Sequence, residues 1–224
     1  MAKPILYIGN RNYSSWSLRP HMALAMAGIP FEEKLIRFGE PHFEKAVRRV
    51  SKVGLVPVLL HNGLKIWDSL AIMEYAAETW PAKNLWPNKK AARAMARSLS
   101  AEMHSGFSNI RNDLPMNLRW GPKPYPVSEA VTRDVARAED AFAQARKAHG
   151  EGGPFLFGKF SIADAMFTPL LSRLETYCVP VSKATRQYQQ AVLSTPAFTA
   201  WKELAMKEPW IVPEDEVATS PAAS

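Results

Sequence analysis

Apolar residues recur along the first eighty positions in short blocks that change period. Pro4-Ile5-Leu6-Tyr7-Ile8-Gly9 is a continuous apolar run of the length of a buried strand. Leu18, Met22, Leu24, Ala25 and Met26 then follow a helical spacing that stops at Gly28-Ile29-Pro30. Phe31 to Ile36 alternates loosely as a second strand, so a parallel β-α-β unit is expected. Pro41 to Val50 is a short helix candidate, and Val56 to Leu60 is an apolar strand with Pro57 near its start. Asn62-Gly63 marks a tight turn into Lys65-Ile66-Trp67, which predicts a β-hairpin. Asp68-Ser69 supplies an N-cap for a helix carrying Leu70, Ile72, Met73, Tyr75, Ala76 and Ala77.

Past that helix the pattern is helical almost throughout. Residues 81–88, with Pro81 and Pro87, read as a linker. Residues 89–114 carry Ala92, Met95, Ala96, Leu99, Met103 and Phe107 at helical spacing and are expected to form one long helix. A second runs from about Ser128 to Ala148. A third starts at the capping box Ser161-Ile162-Ala163-Asp164 and runs to about Tyr177, with Asp164 expected to be a buried structural carboxylate. Shorter helices are expected at 183–194 and 196–206, and 211–224 is expected to be a mobile tail. The fold class is thus an α/β N-terminal domain, β-α-β-α-β-β-α over residues 1–80, followed by an all-α domain over 89–210.

Composition narrows the function less than the fold. With 47% hydrophobic residues the chain can bury a substantial core, and it has no apolar run long enough to span a membrane. The N-terminus enters a strand at once without a charged-then-apolar leader, so a cytoplasmic location is expected. The lone Cys178 excludes an internal disulfide and accords with that location. A net charge of +7 raises the question of nucleic acid. The basic residues nevertheless fall in short separated groups such as Arg48-Arg49 and Lys89-Lys90 with no recognition motif around them, and an anionic small ligand is the better expectation.

Two helix starts carry hydroxyls. Ser14, Ser15 and Ser17 surround the first, and Asp68-Ser69 opens the third helix of the N-terminal unit. Free backbone N–H groups and hydroxyls at such positions attract anions. On the residues alone, both sites are equally readable as plain N-caps.

Five stretches in this order resemble the soluble glutathione S-transferases. They are Ser14-Ser15-Trp16-Ser17, similar to the Ser-Ser-x-Ser motif of serine-type, zeta-like members; Ala23 to Phe31; Gly54 to Leu59; Asp68 to Ile72; and Phe160 to Asp164. The resemblance implies a thioredoxin-like first domain. It also implies that the chain is an enzyme holding glutathione as a thiolate and delivering it to a small electrophile, or using it in isomerisation as maleylacetoacetate isomerases do. A binding module with little activity is the other reading of the same fold. A homodimer is implied, and no metal.

Residue by residue, the resemblance makes Ser14 the donor to sulfur, supported by Ser15 or the Trp16 N–H. Leu55, Val56 and Pro57 would lie along the glutathione backbone, and Asp68 and Ser69 would hold its γ-glutamyl end. Leu55 stands where many relatives carry Lys, Arg or Gln; Lys52 or His104 is a substitute for the missing contact. The acceptor site would draw on His104, Phe107, Arg111, Trp120 and Tyr125. Tyr7 is read as core, and no cysteine lies near position 14 to act as in cysteine-type classes.

Overall fold

The computed structural model describes residues 2–217. The chain runs through β1 (Ile5–Ile8), α1 (Ser15–Met26), β2 (Glu32–Leu35), α2 (Phe43–Val50), β3 (Val58–His61), β4 (Leu64–Trp67) and α3 (Ser69–Thr79). These strands form one mixed sheet in the order β2-β1-β3-β4. β1 and β2 are parallel, as their helical crossover requires, and the other two pairs are antiparallel. Asn62 and Gly63 both take positive φ, 49° and 79°, which suits the twist of the β3–β4 hairpin. α1 ends at Gly28, whose φ of 61° lets the Ile29 and Gly28 N–H groups return to the Leu24 and Ala25 carbonyls.

Alternation in β1 turns Leu6 and Ile8 into a fully buried face that joins Leu18 and Met22 of α1 with Ile72, Met73 and Ala76 of α3. Tyr7, on the opposite face, is only half-buried rather than core.

After α3 everything is helical: α4 (Lys90–Ser105), α5 (Ser108–Asp113), α6 (Glu129–His149), α7 (Ile162–Thr176), α8 (Lys183–Leu193) and α9 (Pro196–Met206). α7 is buried over nearly its whole length and packs on α1, α4 and α8, joining the two halves. Its start is fixed by Asp164, which accepts hydrogen bonds from the Leu156 N–H, the Ser161 N–H and hydroxyl and the Tyr188 hydroxyl. That is the structural role expected for it.

Two expectations fail. The single helix over 89–114 is broken, because Gly106 is extended and Phe107 turns left-handed at φ 55°. α5 restarts with Asp134 of α6 accepting from the Asn109 and Ile110 N–H groups, at 3.0 and 3.2 Å. Met103, Phe107 and Ile110 are all buried on either side of the break, so the apolar spacing reads as continuous where the backbone is not. The expected tail is also packed as far as residue 217. Val212 is buried, and Glu216 accepts a 2.5 Å hydrogen bond from the Tyr13 hydroxyl. The rest of that tail, 218–224, lies outside the described residues. No helix among the described residues is long and apolar enough to cross a membrane.

Candidate functional site

The turn between β1 and α1 is built by its own polar groups. The Asn10 carbonyl accepts from the Tyr13 and Ser14 N–H groups, and the Asn10 side chain accepts from the Phe38 N–H at 2.7 Å. A Cβ at Gly9 would stand 2.2 Å from the Phe38 ring, so a larger residue there would force that ring to shift. Ser14 is the N-cap of α1, with its Oγ accepting from the Ser17 N–H at 3.4 Å. The Ser14 and Ser17 hydroxyls are 2.7 Å apart, and Ser17 Oγ accepts from the Gly9 N–H at 3.1 Å. A hydroxyl rotates to suit its partners. With the Ser17 O–H turned onto Ser14 Oγ, the Ser14 proton is free to point outward. The Trp16 N–H has no partner in the first turn among the described residues.

Ser14, Ser15 and Trp16 line a cleft of about 340 Å³ with Leu55, Val56 and Arg111, six residues the sequence had singled out. Val56 precedes a cis peptide to Pro57, and neither its N–H nor its carbonyl is hydrogen-bonded among the described residues. Phe38, Phe43 and Tyr13 add aromatic wall, and Asn112, Arg173 and Asp215 complete it. A second cleft of the same size, bounded by Trp86, His149 and Phe157, contains none of these groups.

The electrostatics of the cleft come from three arginines. The guanidinium of Arg19 lies 4.2 Å from the centroid of Trp16 and that of Arg111 lies 4.5 Å from the same ring. Arg19 is fully buried, and its Nε and Nη1 have no hydrogen-bond partner among the described residues. Burial, then the charges of Arg111 and Arg173, pull Arg19 down to about 9 against a weaker pull upward from Asp68. Burial and Arg111 likewise lower Arg173 to about 10. Arg173 spends its donors on carbonyls, Leu114 O at 2.7 Å and Pro169 O at 3.2 Å, so its charge is left uncompensated by any direct ion pair among the described residues. Such a cluster is costly unless an anion joins it.

The second helix start lies beside the first. Asp68 caps α3, accepting from the Leu70 and Ala71 N–H groups at 2.8 and 3.1 Å. It does so with φ 75° and ψ 135°, a strained conformation for a residue with a side chain. His104 Nε2 sits 3.2 Å from the other Asp68 oxygen, and its ring meets Trp16 edge-on at 5.2 Å. His104 thus links the two helix starts at the cleft's edge rather than lining the cleft. Ser69 is wholly buried with its Oγ unpartnered.

Three expected acceptor residues, Phe107, Trp120 and Tyr125, are elsewhere. Phe107 is buried against Phe167 of α7, and Trp120 packs with Tyr125 and Tyr177 in an aromatic cluster. Sequence reasoning missed Phe38, Phe43, Asn112, Arg173 and Asp215 in the lining, and Arg19, which stacks on Trp16 behind it. Arg19 stood inside the serine stretch, but nothing in its spacing announced burial. Among the described residues no group of three or more His, Cys, Asp or Glu side chains could hold a metal.

Two family models match the chain: the glutathione S-transferase N-terminal domain over residues 13–79 and the C-terminal domain over 127–203. A maleylacetoacetate isomerase of Mus musculus is 38% identical over 184 residues, 80% of this chain and 82% of that protein. A probable maleylacetoacetate isomerase 2 of Drosophila melanogaster is 33% identical, covering 88% of this chain and 87% of that protein. A solved glutathione transferase homolog from Burkholderia with bound glutathione shares the fold at TM-score 0.70 and 23% identity, over 91% of this chain and 98% of that one.

Proposed function

The chain belongs to the glutathione S-transferase family, and on that premise we propose that it binds glutathione across the two helix starts and delivers its thiolate to an electrophile bearing a carboxylate. Ser14 donates to the sulfur, backed by Ser17 and the Trp16 N–H. The free backbone of Val56 pairs with the cysteinyl unit in β fashion. Asp68 takes the γ-glutamyl ammonium, and the Ser69 hydroxyl with the α3 N-terminus takes its carboxylate. Arg111 and Arg173 receive the carboxylate of the acceptor. One observation carries this reading: a single cleft holds Ser14, the Val56 backbone with no hydrogen-bond partner among the described residues, and Arg111 and Arg173 in no direct ion pair there.

A second reading has specific support in the relatives named maleylacetoacetate isomerase. The thiolate adds to a carbon–carbon double bond, the adduct rotates about what is now a single bond, and the thiolate leaves. Glutathione is regenerated and the product is the geometric isomer. Following isomerisation of a cis-enoic diacid beside conjugation of an aromatic electrophile separates the two chemistries.

Calorimetric titration with glutathione, read together with thiolate absorbance, tests the whole. The chain should bind glutathione and generate the ultraviolet band of the thiolate near neutral pH. Ser69→Ala should weaken binding about tenfold, the size of one charge-assisted hydrogen bond, and leave the thiolate band of the bound fraction intact. If the unmodified chain binds no glutathione, the binding-module reading replaces the enzymatic one.

We also infer a homodimer. The outer edge of β4 is unpaired among the described residues, and Leu64 and Trp67 on that strand are 53% and 51% exposed, an apolar edge open to a second copy. Sedimentation should give twice the 25.0 kDa chain mass, and Trp67→Glu should shift it to the monomer; a monomeric parent chain would refute the inference.

A further inference from the structure

The segment following α9 folds back over the acceptor end of the cleft. Arg119 clamps it: its guanidinium donates to the carbonyls of Glu208 and Trp210, the latter at 2.6 Å, and to the Tyr13 hydroxyl at 2.8 Å. Trp210 is held from its other side by the guanidinium of Arg37, 4.6 Å from the ring centroid. Val212 is buried, a single helical turn covers Pro213–Asp215, and Glu216 closes the strap on Tyr13. The side chain preceding Glu216 is thereby delivered into the cleft. It is Asp215, and it shares that cleft with Ser14, Arg111 and Arg173.

We propose that Asp215 is a specificity-determining residue: an internal carboxylate that balances the arginine pair in the empty cleft and competes with the carboxylate of an incoming acceptor. The proposal rests on the reading of the cleft as an anion-accepting site. Three features support the role. Asp215 is half-buried, and burial raises its carboxyl while Arg173 pulls it back toward the charged form. It forms no ion pair within 4.0 Å with either arginine among the described residues, so it faces them across a gap rather than locking onto them. A carboxylate entering that gap meets two cations and one anion, and the like charge weakens its binding. The neighbouring acids are differently placed: Glu216 is committed to Tyr13, and Glu214 is exposed and does not line the cleft.

The test needs no glutathione. The full chain is titrated with maleate at fixed ionic strength, using calorimetry, as wild type, Asp215→Asn and Glu214→Gln. Asp215→Asn should tighten maleate binding about tenfold, a change of about 1.4 kcal/mol. Glu214→Gln, which removes the same charge outside the cleft, should change it less than twofold. Adding Arg111→Met to Asp215→Asn should abolish the gain. Unchanged or weaker binding in Asp215→Asn overturns the proposal, as does an equal gain in Glu214→Gln or the lack of any Arg111-dependent binding. In turnover, Asp215→Asn should lower KM for a carboxylate-bearing electrophile and leave KM for a neutral aromatic one unchanged. A strap that had merely come loose would shift both. Loss of thiolate absorbance in the parent chain would defeat the glutathione reading separately, and the maleate result would stand by itself.

Discussion

Replacing Ser14 by Ala should lower glutathione-dependent turnover by about 30-fold at pH 7, the thiolate fraction left there by a thiol of ordinary pKa near 8.5. On the proposed reading Ser14 needs no His-Asp pair, because its task would be to donate a hydrogen bond to the sulfur rather than to attack. Its hydroxyl is buried, backed by Ser17 Oγ at 2.7 Å, and stands at the positive end of α1. Each of these favours thiolate over thiol. Without the hydroxyl the bound thiol should drift back toward an ordinary thiol pKa of about 8.5. Activity should then be small at neutral pH and recover as the pH rises through that value, while the parent chain is already on its plateau. Thiolate absorbance against pH reads the shift directly. Glutathione affinity should change little, because on the proposed reading Val56, Asp68 and Ser69 would hold the rest of the tripeptide. Loss of the N-cap costs about 1 kcal/mol of stability, which a melting curve detects and which leaves the chain folded. An Ala variant with an undiminished thiolate band would move the role to Ser15 or to the Trp16 N–H.

What the sequence disclosed of this site and what it hid have the same origin. The serine turn, Val56-Pro57 and Asp68-Ser69 are local devices, a cap or a strand entry written in consecutive residues; spacing exposes them as such, and the family resemblance marks them as a site. The mixed sheet and the long helices α6 and α7 were legible for a similar reason, since their apolar periods are sustained over many turns. Arg19 and Arg173 were not legible. An arginine inside a helical pattern ordinarily marks the solvent face, and only the packing of α7 on α1 turns both inward. Phe107 and Trp120 err in the opposite sense: aromatic residues near an expected cleft were taken for its wall, and the fold uses them as packing. Asp215 depended on a clamp between Arg119 and carbonyls about 90 residues away, which no local pattern records.

Replacing Arg19 by Met should make the protein more stable and less active at once. Arg19 is fully buried, two of its nitrogens are unpartnered, and its neighbours Arg111 and Arg173 repel it. Removing an uncompensated buried charge while keeping its volume is worth about 1–4 kcal/mol, and Met fills the channel left by the aliphatic stem. Against that stands the lost stacking on Trp16, worth about 0.5–2 kcal/mol. The net expected gain is about 1–2 kcal/mol, seen as a higher denaturant midpoint at unchanged slope. The activity should move the other way. The buried guanidinium contributes positive potential to a cleft that on the proposed reading holds a thiolate and a carboxylate, in surroundings where solvent screens it weakly. Its loss should lower kcat/KM for an anionic acceptor about 10- to 100-fold, with a smaller loss for a neutral one. Arg19→Lys should rescue it only in part, because an ammonium buried beside Arg111 and Arg173 gives up its proton more readily than a guanidinium. The two readouts together separate function from structure. A variant that loses stability and keeps activity would make Arg19 a packing residue of α1, whereas a gain in stability with a loss of activity marks strain retained for binding anions.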